Sequence, residues 1–495
     1  MEIPVIPLPV HVARSPGAPF ALDARTRVVT GSDPATVAIG TILARNLGRL
    51  GGFLVPTVAG DSGEPGAVVL HLSDDRSALG LPVDVDRAQH SGAYRLDVSQ
   101  DRVVVTALEV TGLLHAMATL EQTSDRTLGP EVSFPPLIIA DTPRFGWRGL
   151  SLDVARHFFD VAAVKTVIDV MASLKLNVLH LHLTDDQGWR LDLPSRPELA
   201  ARSADTAVDG DPGGYYTAEH YQEMVAYGAA RCITVVPEID LPGHVNAALH
   251  AYGELTPSGE PAPAYTGIEV GFSRLHADLA ATEPFLRDVL TDVAAMTPGH
   301  YVHIGGDEVL TMQPAEYARL VQSAADHVRA AGKGVVGWQE IAKTPLGPGT
   351  VLQYWTAAED AGPVIAAAQE GALVLLSPAS KVYLDMKYDA QTRVGLVWAG
   401  HIEVRDSYDW EPLDVIPELP AQSIVGVEAA IWSETVRNVD DLFFLLLPRL
   451  AAVAEVAWSQ PESRDWDDFA GRLSAVAPRW TDAGLSWYRS PQVHW

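Results

Sequence analysis

The strongest constraint on the fold is a series of eight strand-like runs after Trp147, separated by stretches with helical spacing of apolar residues. Near-continuous apolar runs of this length are typical of buried parallel strands. Eight alternating strand–helix units in about 350 residues favour a (β/α)8 TIM barrel over an open sheet. The runs are 149–154, 178–183, 233–239, 301–304, 334–338, 351–355, 373–376 and 424–432.

A smaller α+β domain is predicted to precede the barrel. It contains strand patterns at 67–72, 94–98 and 103–106, and helical patterns at 36–50 and 110–120. The proline-rich stretch 130–147 is predicted to be the linker into the barrel. The fold class is therefore α/β, with an N-terminal α+β domain over residues 1–145 and a catalytic barrel over residues 146–495.

Composition and charge narrow the range of partners. The formal net charge of −28 argues against binding to nucleic acid and to anionic membrane surfaces. Cys232 is the single cysteine, so neither an intrachain disulfide nor a thiolate metal cluster can form. The amino terminus lacks the basic segment and apolar stretch of a signal peptide. We therefore expect a cytoplasmic protein, or a secreted one if a leader was removed.

The motif HIGGDEVL at 303–310 carries the clearest chemistry. It places Asp307 and Glu308 after a buried strand, with Gly305 and Gly306 allowing a turn and a close approach. Neighbouring residues on a strand point to opposite faces, so the two acids are predicted to differ in role. One of them is expected to transfer a proton, and its partner to have another task.

Further polar and aromatic residues follow the other predicted strands, at the end where barrel active sites lie. Carboxylates accept hydrogen bonds from hydroxyls, and indole faces cover the apolar faces of a pyranose. The pattern therefore indicates a sugar pocket. Its residues are Arg156, Asp185, His244, Trp338, Trp355, Tyr383, Asp385, Trp432 and Glu434.

Two other classes of protein fit part of the pattern. His180 and His182 share one face of a strand and, with acids elsewhere, are compatible with a metal-dependent TIM-barrel hydrolase. We favour histidines that pack and hydrogen-bond inside the barrel, because a metal site leaves the tryptophans unexplained. A catalytically inactive amino-sugar-binding protein is the second alternative, and the intact Asp307–Glu308 pair argues against it.

Several long motifs, in the same order, resemble glycoside hydrolase family 20, the β-N-acetylhexosaminidases. The resemblance runs from about Trp147 to the end of the chain, and the N-terminal α+β unit is also one that such enzymes carry. The ending YRSPQVHW is most similar to the actinobacterial type. The motifs are RGLSLDVARHFF (148–159), LHLHLTDDQGWR (179–190), VVPEIDLPGH (235–244), HIGGDEV (303–309), YWTA (354–357), YLDMKY (383–388) and IWSET (431–435).

The resemblance implies an exo-acting enzyme that removes terminal β-linked N-acetylglucosamine or N-acetylgalactosamine, for example from chitooligosaccharides. It implies a substrate-assisted retaining mechanism, an exception to the scheme with two catalytic carboxylates. No cofactor or metal is implied, and neither the preferred epimer nor the oligomeric state is fixed.

The resemblance also implies a role for each candidate residue. Glu308 would be the general acid and base, Asp307 would orient the 2-acetamido group, and Tyr383 would donate to the acetamido oxygen. Asp185 and His244 would form a hydrogen-bonded relay to Glu308. The remaining residues would hold the sugar: Trp338, Trp355 and Trp432 as walls, Arg156 at the 3- and 4-hydroxyls, Asp385 and Glu434 at the 4- and 6-hydroxyls, and Trp398 against the leaving sugar.

Overall fold

The computed structural model describes residues 3–60, 63–81, 92–125 and 132–495. The N-terminal unit is built on a seven-stranded mixed sheet in the order β1-β9-β6-β7-β5-β3-β4, and β2 pairs with β8 in a separate short ribbon. Its elements are β1 His11–Arg14, β2 Phe20–Ala21, β3 Arg27–Thr30, α1 Pro34–Gly51, β4 Thr57–Ala59, β5 Ala67–Leu72, β6 Tyr94–Val98, β7 Arg102–Ala107, α2 Val110–Gln122, β8 Ser133–Phe134 and β9 Leu137–Asp141.

Local sequence explains where α1 begins and ends. The Asp33 side chain accepts a hydrogen bond from the Thr36 N–H at 2.8 Å, which caps the amino end, and Pro34 occupies the first turn. Gly52 ends the helix at φ 73°, a left-handed conformation that glycine adopts without strain. The apolar stripe of α1, with Ile39, Leu43 and Leu47 fully buried or nearly so, packs against the sheet.

The predicted linker over 130–147 is wrong where the structure describes it. Strand β9 lies inside the sheet, between β1 and β6, and pairs antiparallel with both. Pro135 and Pro136 fall in the gap between β8 and β9, so they interrupt neither strand. The apolar run that begins at Leu137 supplies buried sheet residues, and this outweighs the proline content of its surroundings.

The second unit is a closed barrel of parallel strands, as the sequence predicts. Strand β10 pairs with both β11 and β19, with Leu150 opposite Ala429, and this pairing closes the barrel. A short hairpin, β12–β13, follows β11. The strands are β10 Trp147–Asp153, β11 Val178–His182, β12 Thr184–Asp185, β13 Gly188–Trp189, β14 Thr234–Glu238, β15 Tyr301–His303, β16 Gly334–Trp338, β17 Val351–Tyr354, β18 Leu373–Leu376 and β19 Ile424–Ile431.

Helices surround the barrel and contribute apolar side chains to its core. In the helix Val161–Ser173, for example, the predicted stripe of Val164, Val167, Ile168 and Met171 is buried. The helices are α3 Val161–Ser173, α4 Glu198–Ser203, α5 Ala218–Ala229, α6 Asn246–Ala251, α7 Thr282–Met296, α8 Pro314–Ala330, α9 Gly362–Gln369, α10 Ala379–Val382, α11 Val439–Leu446, α12 Arg449–Trp458, α13 Trp466–Val476 and α14 Pro478–Asp482.

The two units meet in a buried polar contact centred on Asp141, the last residue of β9. Lys175, which precedes β11 in the barrel, places its Nζ 3.1 Å from Asp141 Oδ2. Tyr94 donates its hydroxyl to the same oxygen at 2.8 Å, and the Nε1–H of Trp458 donates to Oδ1 at 3.0 Å. Both charged side chains are fully shielded from solvent. Each unit therefore completes the hydrogen bonding of the other.

In the part of the chain that the structure describes, no helix combines the length and the apolar character that crossing a membrane requires.

Candidate active site

The Asp307–Glu308 pair lies on a turn just beyond β15. Gly305 and Gly306 adopt φ values of 66° and 111°, and a Cβ on Gly305 would lie 1.7 Å from Asp240 Oδ1. The predicted need for glycine at this turn is therefore confirmed. Glu308 itself has φ 47°, a left-handed conformation that is strained for a side chain of this kind. Strained residues of this sort cluster at functional sites.

The prediction that strand alternation separates the two acids is wrong. The strand ends at His303, and the turn brings both carboxylates to one neighbour. Asp307 Oδ2 and Glu308 Oε2 each lie 3.6 Å from Nε2 of His244. The acids differ instead in burial, because 14% of the Asp307 side chain and 33% of the Glu308 side chain are exposed. Glu308 is thus the acid that faces the open side of the pocket.

A chain of charges leads from the two acids into the barrel wall. Nδ1 of His244 lies 3.3 Å from Asp185, whose Oδ2 lies 2.7 Å from Nη2 of Arg156. Burial opposes the charge of Asp185, but Arg156 and His244 outweigh it and hold the pKa of this carboxyl well below its usual range. Burial likewise opposes the charge of His244, yet Asp185 and Asp307 raise its pKa well above the usual value. The predicted hydrogen bond between Asp185 and His244 is therefore present, whereas His244 Nε2 lies near Glu308 without a hydrogen bond to it, so the predicted relay stops at His244.

Asp307 sits in a different electrostatic environment. Burial, followed by the neighbouring Asp240 carboxylate, raises the pKa of the Asp307 carboxyl well above its usual range. Its Oδ1 is buried and has no hydrogen-bond partner among the described residues. A buried carboxylate oxygen in this state is stabilised by a ligand that brings an N–H donor or a positive charge.

Aromatic rings enclose the space beside these acids. The Trp355 and Tyr383 rings are nearly parallel, with centroids 6.2 Å apart, and Trp432 lies within 6.0 Å of Tyr383. Trp338 packs on Trp432 at 5.7 Å and is almost fully buried. Trp398 meets Trp355 edge to face, and 53% of its surface is exposed. The site therefore has a closed aromatic wall with one open indole at its rim.

A second group of carboxyls lies next to Trp432. Both carboxylate oxygens of Asp385 and Oε2 of Glu434 are buried without a partner in the described part of the chain. Burial raises the pKa of Asp385 well above its usual range, and the neighbouring charge of Glu434 raises it further. Arg156 stands over the ring of Trp432 at 5.1 Å, and its Nε also lacks a partner. The structure thus brings all twelve predicted site residues to one end of the barrel, with unsatisfied polar atoms facing inward.

The histidines considered as metal ligands form a hydrogen-bonded layer beneath this site. Nδ1 of His180 lies 2.9 Å from Glu428, and its Nε2 lies 2.8 Å from Glu238. His182 contacts Glu238 at 2.6 Å through Nδ1 and Asp185 at 3.0 Å through Nε2. Both ring nitrogens of His182 and Nδ1 of His180 therefore hydrogen-bond to protein carboxylates, while His180 Nε2 lies close to Glu238 without hydrogen-bond geometry. The favoured interpretation, that these histidines pack and hydrogen-bond inside the barrel, is confirmed.

Sequence reasoning missed one carboxyl behind the aromatic wall. Glu340 is buried, and its two oxygens each lie 3.3 Å from Nε1 of Trp355, whose N–H they accept. Burial, followed by the charge of Asp307, raises the pKa of Glu340 to about 8. The available signal was its position, two residues after Trp338 at the end of β16. It is the kind of position that identified the other candidates.

Glu340 is expected to make folding stability depend on pH. Its pKa is about 8 in the folded chain and about 4.3 in an unfolded one. The stability that protonated Glu340 contributes is therefore fully present at pH values below its pKa in the unfolded chain. It is lost as the pH rises towards its folded pKa of about 8. The free energy of unfolding should fall by about 1.4 kcal/mol per pH unit in that window from this group alone.

The Glu340→Gln variant should show a flatter decline, because an amide does not ionise in this range. Its oxygen can still accept the Trp355 N–H, so the contact itself is kept. Unfolding followed between pH 5 and 8 measures the difference. Glu370→Gln removes a carboxylate from an exposed helix end and is the control for loss of charge. A decline as steep in Glu340→Gln as in the parent would contradict this account.

A closed parallel barrel whose mouth holds an acid pair, a buried charge relay and a cage of indoles defines a carbohydrate-cleaving barrel hydrolase. The model of the glycosyl hydrolase family 20 catalytic domain matches residues 145–317 and 312–461, and that of domain 2 of the same family matches residues 2–142. The chain belongs to glycosyl hydrolase family 20.

Individual relatives agree with this assignment over the whole length. A β-N-acetylhexosaminidase from Cellulomonas fimi is 58% identical over 494 residues, which cover 100% of this chain and 97% of the relative. The structure of a family 20 β-N-acetylhexosaminidase from Streptomyces coelicolor A3(2) is 41% identical with a TM-score of 0.93, covering 100% of this chain and 99% of that one. A Streptomyces plicatus β-hexosaminidase variant in complex with its product, N-acetylglucosamine, is 42% identical with a TM-score of 0.92, covering 100% and 98%.

These comparisons confirm four predictions from the sequence: the family, the fold class, the glycoside hydrolase class and the β-N-acetylhexosaminidase activity. They lend no support to a metal-dependent hydrolase or to an inactive sugar-binding protein. The roles of the individual residues remain predictions, and they are developed below.

Proposed function

We propose that the pocket cleaves a terminal β-linked N-acetylglucosamine or N-acetylgalactosamine from the non-reducing end of an oligosaccharide, with the 2-acetamido oxygen of the substrate as nucleophile. One observation carries the proposal. Buried oxygens without hydrogen-bond partners, on Asp307, Asp385 and Glu434, cluster near Tyr383 and the indoles that surround it. Buried polar atoms without partners are costly, and the hydroxyls and amide N–H of an N-acetyl sugar supply the missing donors.

Glu308 transfers the proton in this scheme. As the more open of the two acids, it reaches the glycosidic oxygen, protonates the leaving group, and then takes a proton from the water that opens the intermediate. Its neighbour His244, backed by Asp185, fixes the position of the carboxylate. The left-handed backbone of Glu308 supports this role, since strained residues of this kind cluster at active sites.

Asp307 accepts the acetamido N–H and balances the positive charge of the oxazolinium ion. The charge that forms on the bicyclic intermediate is complementary to a buried carboxylate without another partner. Trp338, Trp355 and Trp432 enclose the acetamido methyl and the sugar ring, and the Tyr383 hydroxyl donates to the attacking oxygen. This enclosure holds the nucleophile close to the anomeric carbon, which converts the attack into an intramolecular step.

The remaining polar groups grip the far side of the sugar. Arg156 takes the 3- and 4-hydroxyls, and Asp385 with Glu434 takes the 4- and 6-hydroxyls. Because these groups are buried, the pocket ends at the 4-hydroxyl and no further sugar can extend beyond it. The enzyme is therefore exo-acting. Trp398, at the open rim, stacks on the leaving sugar.

The scheme is tested by removing the nucleophile from the substrate. We expect turnover of nitrophenyl N-acetyl-β-glucosaminide and of its galacto epimer. The matched nitrophenyl β-glucoside, which lacks the acetamido group, should react at least about 10³-fold more slowly, since proximity of the nucleophile supplies several kcal/mol of the barrier. Steady-state rates on the three substrates measure this. Comparable rates on the glucoside, or a glycosyl ester trapped on a carboxylate and found by mass spectrometry, would reject the substrate-assisted mechanism.

A further inference from the structure

A second cleft adjoins the active site and is lined in part by Trp355 and Trp398. It encloses about 550 Å³, which lies within the range of about 300–1,000 Å³ of ligand pockets. Its walls come from the loops that follow β17 and β18 and from the segment around Trp410. None of the acids of the active site lines it. The cleft is thus a separate space that shares two indole walls with the pocket.

The chemistry of the lining suits an uncharged polar ligand with apolar faces. Trp398 presents a half-exposed indole, and Trp410 lies deeper in the wall. Lys381 and Asp414 line the cleft, and neither side chain has an ion-pair or hydrogen-bond partner among the described residues. One cation and one anion favour neither sign of ligand charge. They offer a donor and an acceptor for hydroxyl or amide groups.

The second acid of the lining, Glu411, already has hydrogen-bond partners. Glu411 accepts hydrogen bonds from Arg144 at 2.9 Å and from Arg464 at 3.1 Å. The two arginines hold this carboxylate in place, so Glu411 forms a fixed part of the wall. This part of the cleft is preformed, which lowers the conformational cost of binding a ligand.

We propose that this cleft binds the leaving chain beyond its first sugar, so that the enzyme recognises β-linked oligosaccharides of three or more units. The proposal deepens the proposed function and rests on it. A chain that stacks its first leaving sugar on Trp398 must continue past this indole, and Trp398 also lines the cleft. Sugar rings supply the apolar faces and the hydroxyls that the lining accommodates.

Filling the cleft tests the proposal without touching the active site. Ala358 lies exposed on the lining loop after β17, and Ala358→Trp should obstruct the cleft. We expect kcat/KM for the β-1,4-linked tri- and tetrasaccharides of N-acetylglucosamine to fall about three- to tenfold, the loss expected from one stacking contact. Rates on the disaccharide and on the nitrophenyl glycoside should change by less than about twofold. Asp414→Ala removes one polar contact without adding bulk. It should lower kcat/KM for the tri- and tetrasaccharides about two- to fivefold and leave the shorter substrates little changed.

The control is Ala331→Trp, which adds the same bulk at an exposed residue before β16, on the opposite end of the barrel. Losses in Ala358→Trp and Asp414→Ala that are equal for short and long substrates would overturn the proposal, as would no loss in either. If the wild-type chain left the nitrophenyl N-acetylglucosaminide intact, the proposed function itself would fail. The proposal for the cleft would then be tested by calorimetry, with the trisaccharide titrated into the wild type and into Ala358→Trp. Equal affinities in the two proteins would reject it.

Discussion

Glu308→Gln is expected to lower kcat by about 10²–10⁴-fold on oligosaccharides, while the substrate still binds. The amide keeps the shape of the side chain but cannot donate a proton to the glycosidic oxygen. Aryl glycosides with good leaving groups need less protonation, so they should lose less in the first step. Rates on a series of aryl N-acetylglucosaminides, plotted against the acidity of the leaving phenol, measure this difference.

The control for this prediction is Glu269→Gln, which removes an exposed carboxylate near the mouth. It should leave both the rates and their dependence on the leaving group unchanged. If Glu308→Gln reduced the rate by one factor for every leaving group, the acid role would belong to another residue, and the strained turn would need a different explanation.

Asp307→Asn is expected to lower kcat by about 10²–10³-fold, the usual effect of removing one preorganised electrostatic contact to a transition state. The neutral amide cannot balance the positive charge of the oxazolinium ion. A thiazoline analogue of the bicyclic intermediate should bind the parent enzyme much more tightly than N-acetylglucosamine does, because the pocket is complementary to the charged state. The substitution should remove most of that advantage.

Inhibition constants for the thiazoline and for free N-acetylglucosamine, measured in both proteins, separate charge stabilisation from simple binding. Affinity for the uncharged sugar should fall far less than affinity for the thiazoline. Equal losses for both ligands would mean that Asp307 binds the ground state only, and that the charge of the intermediate is balanced elsewhere. Glu340, which lies close enough for the charge of Asp307 to raise its pKa, would then be the next residue to test.

The barrel could be predicted because its strands are buried on both faces. Each predicted run begins and ends within two residues of the observed strand, as in 334–338 and Gly334–Trp338. Strand β9 escaped prediction because its partners, β1 and β6, are distant in sequence. Local composition reports such pairings poorly, so the prolines around β9 dominated the interpretation.

The site could be located from sequence because parallel barrels gather the carboxyl ends of their strands at one rim. Its internal arrangement could not. The turn that leads to Glu308 begins where Gly305 packs closely against Asp240, and these two residues are far apart in the chain. Glu340 was missed for a related reason, since its importance comes from the indole of Trp355, which reaches it from the next strand.

The buried contact between Asp141 and Lys175 determines how this enzyme can be divided for engineering. A fragment that began at residue 146 would leave the Lys175 ammonium without its carboxylate and the Trp458 indole without its acceptor. The N-terminal unit alone would expose the apolar seam in which Asp141 is held. The catalytic barrel therefore cannot be transferred to another protein without the N-terminal unit. A chimera should take both units from the same parent, or keep residues that can pair with one another at the positions of Asp141, Lys175 and Trp458.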